Sequence, residues 1–359
     1  MTQQIIDEYV NLFQAKDNNT YGIREAKPED IKSIIEIFKD IYDYNYLYPW
    51  IYDTELFKKR LNNKENLWLI GVSINTEEII STAVIKKKNS FTVTVGKGAI
   101  KKKYQGIGIA KELASECLKI SLRRPLFKNT LKIDMDVRAN NIKAQKWAEK
   151  VKCVPYGFIP NYNNYADKRN FHSPKGEPFI QGQFESVIMY IRPFTNLWKR
   201  RQNCIVMLDN EDMIFFYNNV KKYNRRMRND NLILKNNYGI KRESFKITED
   251  IYKGILTING YLCEKSLEGL LKKYSNWNVI EWRIPATFEG LNSQQIGLNK
   301  GFKVVGYDPG SNYDDKLLID SVLMCYFPNG VDFTQFKGLN LIEKNRSLTK
   351  RVINSLNDY

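Results

Sequence analysis

The hydrophobic and polar positions in the first half of the chain switch between strand spacing and helix spacing in a defined order. An amphipathic segment at the start predicts a helix, and apolar residues at helical spacing from Ile31 to Phe38 follow a Lys-Pro-Glu-Asp helix start. Further helices are predicted at residues 53–61, 108–122 and 141–151, and strands at residues 21–25, 67–74, 79–85, 91–95, 130–137, 155–159 and 186–191. The strands from 67 to 95 predict an antiparallel meander.

A glycine-bearing loop follows this meander and runs directly into the predicted helix at 108–122. Gln105, Gly108 and Ala110 have the spacing Gln-x-x-Gly-x-Ala. Glycines allow successive backbone N–H groups to converge on an anion, and the start of the helix adds a positive dipole end, so a pyrophosphate suits this loop. A dinucleotide-binding fold would need a parallel βαβ unit, which the meander argues against. An ordinary tight turn into a helix is the alternative for so short a motif.

The order of elements and this loop together resemble the GCN5-related N-acetyltransferase (GNAT) family, whose loop reads Arg/Gln-x-x-Gly-x-Gly/Ala. The resemblance implies a mixed α/β (α+β) GNAT fold with acetyl-CoA as cofactor. It also implies that strand 91–99 presents backbone groups to the cofactor and that the amides near Ala99 and Ile100 polarise the thioester carbonyl. The residues that it implies around the pyrophosphate are Gln105, Gly106, Ile107, Gly108, Ile109 and Ala110.

The stretch DVRANNIKAQKWAEKV looks like the family's second cofactor motif. Matching residue by residue places Asn141 and Ala144 on its Asn-x-x-Ala. The sequence departs from the family at Ala148, where many members carry a tyrosine that protonates the departing thiolate. Positioning an amine beside a thioester supplies much of the rate in such a transfer, so the reaction is still expected, but the proton-transfer roles stay open.

Composition and charge narrow the possible partners. The chain has 359 residues, 43% of them hydrophobic, and a formal net charge of +16. The basic residues are dispersed, and Lys, Asn, Ile and Tyr are abundant throughout, as an AT-rich genome would produce. A solvated surface is therefore expected before nucleic-acid binding, and no nucleic-acid-binding signature accompanies the charge. Oligomeric state is left open.

The cysteines and the single histidine argue against metal chemistry. Five cysteines lie far apart and His172 is the one histidine, so we expect reduced thiols in a cytoplasm and no metal site. No apolar run is long enough to cross a bilayer, and the start lacks a basic leader with an apolar segment, so neither export nor membrane insertion is expected.

The second half repeats the end of the first. Residues 156–160 and 185–190 reappear as 305–309 and 320–326, but no Gln-x-x-Gly-x-Ala loop precedes the second copy. The resemblance therefore implies two tandem copies, of which the second is degenerate. The predicted organisation is a GNAT domain at 1–195, a basic junction at 196–235 and a degenerate GNAT-like domain at 236–359. Chance similarity of two βαββ endings is the alternative.

Several residues are candidates for the acceptor side. An aromatic segment at 42–52, with Tyr46 and Trp50, suits a small or partly apolar amine, although about half of its rings are expected simply to pack the helices. The first copy has a longer connection at 162–183 that carries His172. Because histidine side chains in general titrate near neutral pH, His172 is a candidate base, with Glu185, Asp136 and Tyr165 as rivals.

These observations predict an acetyl-CoA-dependent N-acyltransferase in which an amine of a small molecule attacks the thioester directly in a ternary complex. One alternative is a tandem aminoacyl or acyl transferase that uses charged tRNA or a carrier protein, favoured by the basic residues from Lys199 to Arg228. Another is a CoA-binding sensor without turnover, favoured by Ala148 and by the degenerate second half.

Overall fold

The computed structural model describes residues 8–173, 176–236, 240–314 and 317–357. The chain forms two compact units: the first contains Met1–Met135 with Ala166–Asn170, and the second contains Asp136–Tyr165 with Phe171–Tyr359. The helices are α1 (Ile31–Tyr42), α2 (Thr54–Leu61), α3 (Ile109–Arg123), α4 (Ile142–Lys150), α5 (Thr195–Arg200), α6 (Glu211–Tyr223), α7 (Glu264–Lys273), α8 (Gly290–Asn299) and α9 (Glu343–Asn357).

The strands are β1 (Asn11–Gln14), β2 (Thr20–Glu25), β3 (Asn66–Ser73), β4 (Ile79–Lys87), β5 (Thr92–Ile100), β6 (Lys132–Arg138), β7 (Val154–Tyr165), β8 (Gln183–Pro193), β9 (Cys204–Leu208), β10 (Asn231–Lys235), β11 (Ser244–Asp250), β12 (Ile255–Tyr261), β13 (Val279–Pro285), β14 (Lys303–Asp314) and β15 (Leu317–Tyr326). This arrangement confirms the mixed α/β class. None of the helices in the described ranges has the length and apolar character needed to cross a membrane.

The first unit is a sheet with strand order β1-β2-β3-β4-β5-β6. Its neighbours pair antiparallel except β5 and β6, which pair in parallel over Thr92–Thr94 and Lys132–Asp134. The apolar stripe predicted for α3 is buried, and α1 likewise buries its apolar face. Burial of such stripes is the main source of helix stability in a small α/β unit.

A β-bulge interrupts β5 between Gly96 and Ala99. Val84 of β4 pairs with Gly96 and Thr82 pairs with Ala99, so β5 has one extra residue in this interval. Lys97 within it adopts a left-handed φ of 52°. A bulge bends its strand and turns side chains in a new direction, so β5 changes course just before the glycine-bearing loop.

The second unit has strand order β8-β7-β14-β15-β13-β12-β11, with β9 and β10 as a separate parallel pair. Both long hairpins carry register shifts at matching places. In β7 they fall between Pro155 and Gly157 and between Ile159 and Asn163; in β14 the corresponding residues stand 149 positions later, as Gly306 stands to Gly157. In these registers Ser321, and not Val322, occupies the position equivalent to Val187, one residue from the alignment that the sequence favoured.

β7 and β14 pair with each other, antiparallel, at Gly157 and Gly306. These two glycines are equivalent in the two hairpins, so the pairing relates the hairpins by an approximate two-fold axis. A Cβ on Gly306 would lie 2.6 Å from the Tyr156 carbonyl oxygen, and one on Gly157 would lie 2.9 Å from the Val305 carbonyl oxygen. Glycine at both positions therefore permits the close approach of the two strands.

Two expectations about chain organisation need correction. The predicted N-terminal helix is wrong for residues 11–14, which form β1 and pair with β2; residues 1–7 lie outside the described residues. The segment 196–235 is more than a junction, because β9, α6 and β10 form a parallel βαβ unit with Met213, Phe216 and Val220 buried. The bounds at 195 and 235 stay a prediction from the sequence repeat.

Candidate functional site

The glycine-bearing loop of the first unit joins β5 to α3 through a 3-10 turn at Lys102–Tyr104. Gly106 and Gly108 adopt φ values of 88° and 110°, a region that residues with a Cβ rarely occupy. Gly108 is the N-cap of α3. Within the described chain, the backbone N–H groups of residues 106–110 donate no hydrogen bond to the protein. Such a run of free N–H groups at a helix start is a site for an anion.

Hydrogen bonds on both sides hold this loop in place. The Ile107 carbonyl accepts from the Lys16 N–H at 3.0 Å, and the Lys102 N–H donates to Asp40 at 2.6 Å. Gln105 donates through its side-chain Nε2 to the Ile100 carbonyl at 3.0 Å and through its backbone N–H to the Lys102 carbonyl at 3.3 Å. The backbone N–H and the side-chain amide of Gln105 thus both shape the loop, whereas the backbone N–H groups of residues 106–110 donate to no protein atom in the described chain.

Glu78 stabilises the turn that precedes the loop by accepting three hydrogen bonds. Its carboxylate accepts from Lys101 at 2.8 Å, from Lys103 at 3.0 Å and from the Tyr104 hydroxyl at 2.6 Å. Partial burial alone would raise the pKa of Glu78, but these three donors outweigh it and lower the pKa to about 2. The carboxylate is therefore ionised at neutral pH and ties β5 to the start of the loop.

The backbone around the loop is open. A Cβ added to Gly96, Gly98, Gly106 or Gly108 would meet nothing within 4 Å. Ala99, in contrast, is buried and its neighbour Ile100 half-buried, and Thr82 of β4 pairs with Ala99. The four glycines, two on β5 and two in the loop, therefore leave room for a ligand to approach the backbone of the first unit closely.

The aromatic segment 42–52 also lies in the first unit, and its rings have two different environments. Tyr46 is buried, with its ring 4.7 Å from that of Phe38 on α1. Trp50 is 8% exposed and contacts Phe57 of α2 and Trp68 of β3 edge to face. Both Tyr46 and Trp50 are therefore buried in the packing of the first unit, as expected for about half of the cluster.

Asn141 and Ala144 lie in the second unit, at the start of α4. Asn141 is the N-cap, and its Oδ1 accepts from the Ala144 N–H at 3.1 Å. This bond accounts for the Asn-x-x-Ala spacing as a helix cap, because a side-chain oxygen there satisfies one of the four free N–H groups of the first turn.

The four candidates for proton transfer, Tyr165 among them, also lie in the second unit. Glu185 is buried and accepts from Arg138 Nε and Nη2, both at 2.6 Å, and from Asn140 at 3.1 Å. Asp136 is exposed and contacts Lys253 Nζ at 3.3 Å. His172 is exposed and makes no hydrogen bond within the described residues. The pairing of Glu185 with Arg138 joins residues 47 positions apart, so no local sequence signal could reveal it.

The segment between β12 and α7 in the second half of the chain differs from the glycine-bearing loop of the first unit. β12 and β13 stay paired from Ile255–Val279 to Asn259–Arg283, and the Trp282 indole donates to the Gly260 carbonyl at 3.0 Å. Cys263 is the N-cap of α7, and a Cβ on Gly260 would lie 2.2 Å from the Ser244 carbonyl oxygen. The backbone at Gly260 is therefore in close contact with a neighbouring strand, whereas the backbone at Gly96 and Gly98 is open.

Comparisons with known proteins found a family match and similar solved structures. Residues 31–152 match the model of the acetyltransferase (GNAT) family. Among solved structures, ribosomal-protein-S5-alanine acetyltransferase from Vibrio fischeri is 17% identical over 49% of this chain and 94% of its own, with a TM-score of 0.39. Spermidine N-acetyltransferase from Vibrio cholerae, solved with CoA and spermine, is 17% identical over 48% of this chain and 95% of its own, with a TM-score of 0.38.

No curated protein matches the chain. At these identities and TM-scores the structural likeness would not by itself identify the family, so the assignment rests on the sequence match from Ile31 to Lys152 and on the elements that lie within it. That stretch contains the meander, the open loop, α3 and the Asn-capped α4. Residues 31–152 of the chain therefore match the acetyltransferase (GNAT) family, whose members use acetyl-CoA.

Proposed function

We propose that this chain transfers an acetyl group from acetyl-CoA to an amine of a small molecule by direct attack. The observation that carries the proposal is the run of free N–H groups from Gly106 to Ala110 at the start of α3. Two glycines at positive φ orient these groups, and the open backbone leaves room for a pyrophosphate. Acetyl-CoA supplies a thioester with a good leaving group, and the protein supplies the positions of the reactants.

The chain's own residues divide the work. Gly106 to Ala110 would hold the pyrophosphate through backbone N–H groups, and Gln105 would keep the loop in shape. In the transfer, a neutral amine forms the new C–N bond as the thioester C–S bond breaks. The amine proton passes to a base of the chain, and the CoA thiolate that leaves takes up a proton from solvent. Amides near Ala99 and Ile100 would stabilise the charge that develops on the carbonyl oxygen.

The route of the proton is the least constrained step. Glu185 forms a bidentate ion pair with Arg138, and we therefore assign it a positioning role rather than proton transfer. Protonation of Glu185 would remove the negative charge that faces the buried side of the Arg138 guanidinium. Asp136 is tied to Lys253. His172, which makes no hydrogen bond in the described part of the chain, has both ring nitrogens available, and we propose it as the base that accepts the amine proton.

We also propose that residues 236–359 are a degenerate second copy of the fold that has no cofactor site. The matching bulges of β7 and β14 support a shared origin, and the crowded Gly260 supports the loss of the site. On this proposal the chain binds one equivalent of CoA.

Isothermal titration of the full chain with CoA and with acetyl-CoA tests the proposal. One equivalent per chain is expected, and a second set of titrations with Gly108→Asp should show no heat of binding, because a carboxylate would then face the pyrophosphate. Two equivalents would contradict the degenerate second copy, and no binding at millimolar ligand would contradict the function as a whole.

A second reading rests on the exposed basic residues Lys222, Arg225, Arg226 and Arg228 beside α6. These would suit a nucleic acid, as in transfer from charged tRNA. Tight binding of tRNA that weakens steeply with salt, together with no binding of CoA, would favour that reading over ours. Binding of CoA without acetylation of any amine in a broad panel would instead favour a sensor.

A further inference from the structure

The last strand of the sheet in the second unit, β11, has one edge without a partner strand. All seven of its residues pair antiparallel with β12, from Ser244 opposite Tyr261 to Asp250 opposite Ile255. β11 stands at the end of the strand order, and within the described chain the backbone of residues 244–249 makes no hydrogen bond outside this pairing. Alternate N–H and C=O groups of β11 therefore point away from the sheet.

β11 lacks most of the features that protect a sheet edge. Protected edges are short, or contain a proline, a bulge or inward-pointing charges. β11 has seven residues, no proline, and an uninterrupted register with β12. Its side chains from 244 to 249 are all exposed, and two of them are apolar: Phe245 is 37% and Ile247 is 38% exposed. The edge strand of the first unit, β1, has only four residues. The free edge of β11 is therefore a template for a further strand.

The sequence of β11 is complementary to itself when two molecules pair antiparallel. Residues that stand opposite each other in such a pair lie on the same face of the sheet. Pairing about Ile247 uses all seven positions and sets Ile247 opposite Ile247 of the second molecule. The remaining opposite positions are Phe245 with Glu249, Lys246 with Thr248, and Ser244 with Asp250.

This register brings apolar side chains together and separates like charges. Each Phe245 becomes the diagonal neighbour of Ile247 in the other molecule, so the four exposed apolar side chains form one cluster on one face. No two like charges stand directly opposite each other. Parallel pairing in register would instead set Lys246 against Lys246 and Glu249 against Glu249, which is destabilising.

We propose that two molecules of this chain associate by antiparallel pairing of β11 with β11, with Ile247 of one molecule opposite Ile247 of the other. A second molecule is the occupant that this strand fits, because self-pairing uses every position of β11 and sets no like charges opposite each other. The inference concerns residues 244–250 alone and does not depend on the proposed function.

Sedimentation velocity of the full chain tests the association. An interface of this size is expected to be weak, so the chain is measured from about 1 to 200 µM, and its weight-average mass should rise from 42.2 kDa towards twice that value. Ile247→Lys sets two ammonium groups opposite each other and should keep the chain monomeric. Leu126→Lys is the matched control: it changes an apolar residue of the first unit that is 39% exposed, and it should associate as the wild type does.

A cysteine at the same position gives a signal that a misfolded variant would not produce. Opposite residues of antiparallel strands have Cα atoms about 4.5–5.5 Å apart, within the range of about 4.4–6.8 Å that a disulfide spans. Ile247→Cys should therefore form a disulfide between two molecules on mild oxidation, identified by peptide mass spectrometry. Thr248→Cys should not, because the two sulfur-bearing residues would be diagonal neighbours about 7–8 Å apart. Wild type oxidised in parallel accounts for the exposed Cys204.

The outcomes decide the inference without reference to the reaction. A wild-type chain that stays monomeric over the whole concentration range would overturn it, and so would association that Ile247→Lys leaves unchanged. A disulfide at residue 248 in place of 247 would also overturn it, because the strands would then pair in another register. Pairing of this edge with a strand of a different protein would leave the chain monomeric and count against the inference.

Discussion

The conformation of Gly108 gives the sharpest test of the cofactor loop. Its φ of 110° lies in a region that only glycine adopts easily, whereas a Cβ added there would meet no atom within 4 Å. Gly108→Ala therefore introduces backbone strain without a steric clash. Strain of this kind costs about 1–3 kcal/mol. The loop can relieve the strain by changing its φ, but the N–H groups of residues 106–110 would then no longer converge.

The expected result follows from that magnitude. About 1–2 kcal/mol lost from the bound conformation weakens CoA binding roughly 5- to 30-fold, since about 1.4 kcal/mol corresponds to a factor of ten. Isothermal titration measures the change directly. N-acetylcysteamine acetyl thioester, which lacks the pyrophosphate, should react with the same kcat/KM in Gly108→Ala as in wild type, because the loop contacts only the part of the cofactor that this analogue lacks.

A matched control separates strain from the added methyl group. Gly269→Ala lies on α7, where a Cβ also meets nothing within 4 Å and where alanine favours the helix by about 0.5–1 kcal/mol. It should leave CoA affinity unchanged and raise the melting temperature slightly. Wild-type affinity for CoA in Gly108→Ala would refute the idea that positive φ at this glycine shapes the site.

Three further predictions concern other parts of the chain. Gly306→Ala should lower the free energy of unfolding by about 2–3 kcal/mol in a urea titration, because its Cβ would press on the Tyr156 carbonyl oxygen; an unchanged midpoint would contradict the close pairing of β7 and β14. The lowered pKa of Glu78 should stabilise the fold above about pH 4.5 and lose this effect as pH falls towards 2, so Glu78→Gln should cost about 1 kcal/mol at pH 7 and nothing near pH 2 in thermal melts. His172→Gln should reduce kcat about 100-fold and leave the affinity for CoA unchanged; a wild-type kcat would exclude His172 as the base.

The sequence predicted the order of elements in the matched region because burial there follows simple periodicity. The stripe of α3 and the apolar runs of β3 and β4 are buried as expected, and glycines at 106 and 108 marked the loop in advance. Those signals are local, and each depends on residues within one element or one turn.

Other features could not be read from local patterns. The bulge at Lys97 leaves no trace in the spacing of apolar residues, and the ion pair of Arg138 with Glu185 joins two strands far apart in sequence. The βαβ unit at 204–235 was missed for a different reason: its Lys, Arg and Asn content is typical of a linker, yet the apolar run of β9 and the helical spacing of Met213, Phe216 and Val220 were available as evidence.

The pairing of Gly157 with Gly306 has a consequence for the order of events during synthesis. One edge of β7 meets β8 soon after it is made, but its other edge waits for a partner that is 149 residues further along the chain. Until residue 306 has left the ribosome, that edge displays unpaired N–H and C=O groups, which can pair with another nascent chain. The second hairpin thus completes in the same molecule a pairing that a shorter chain would have to seek in a neighbour.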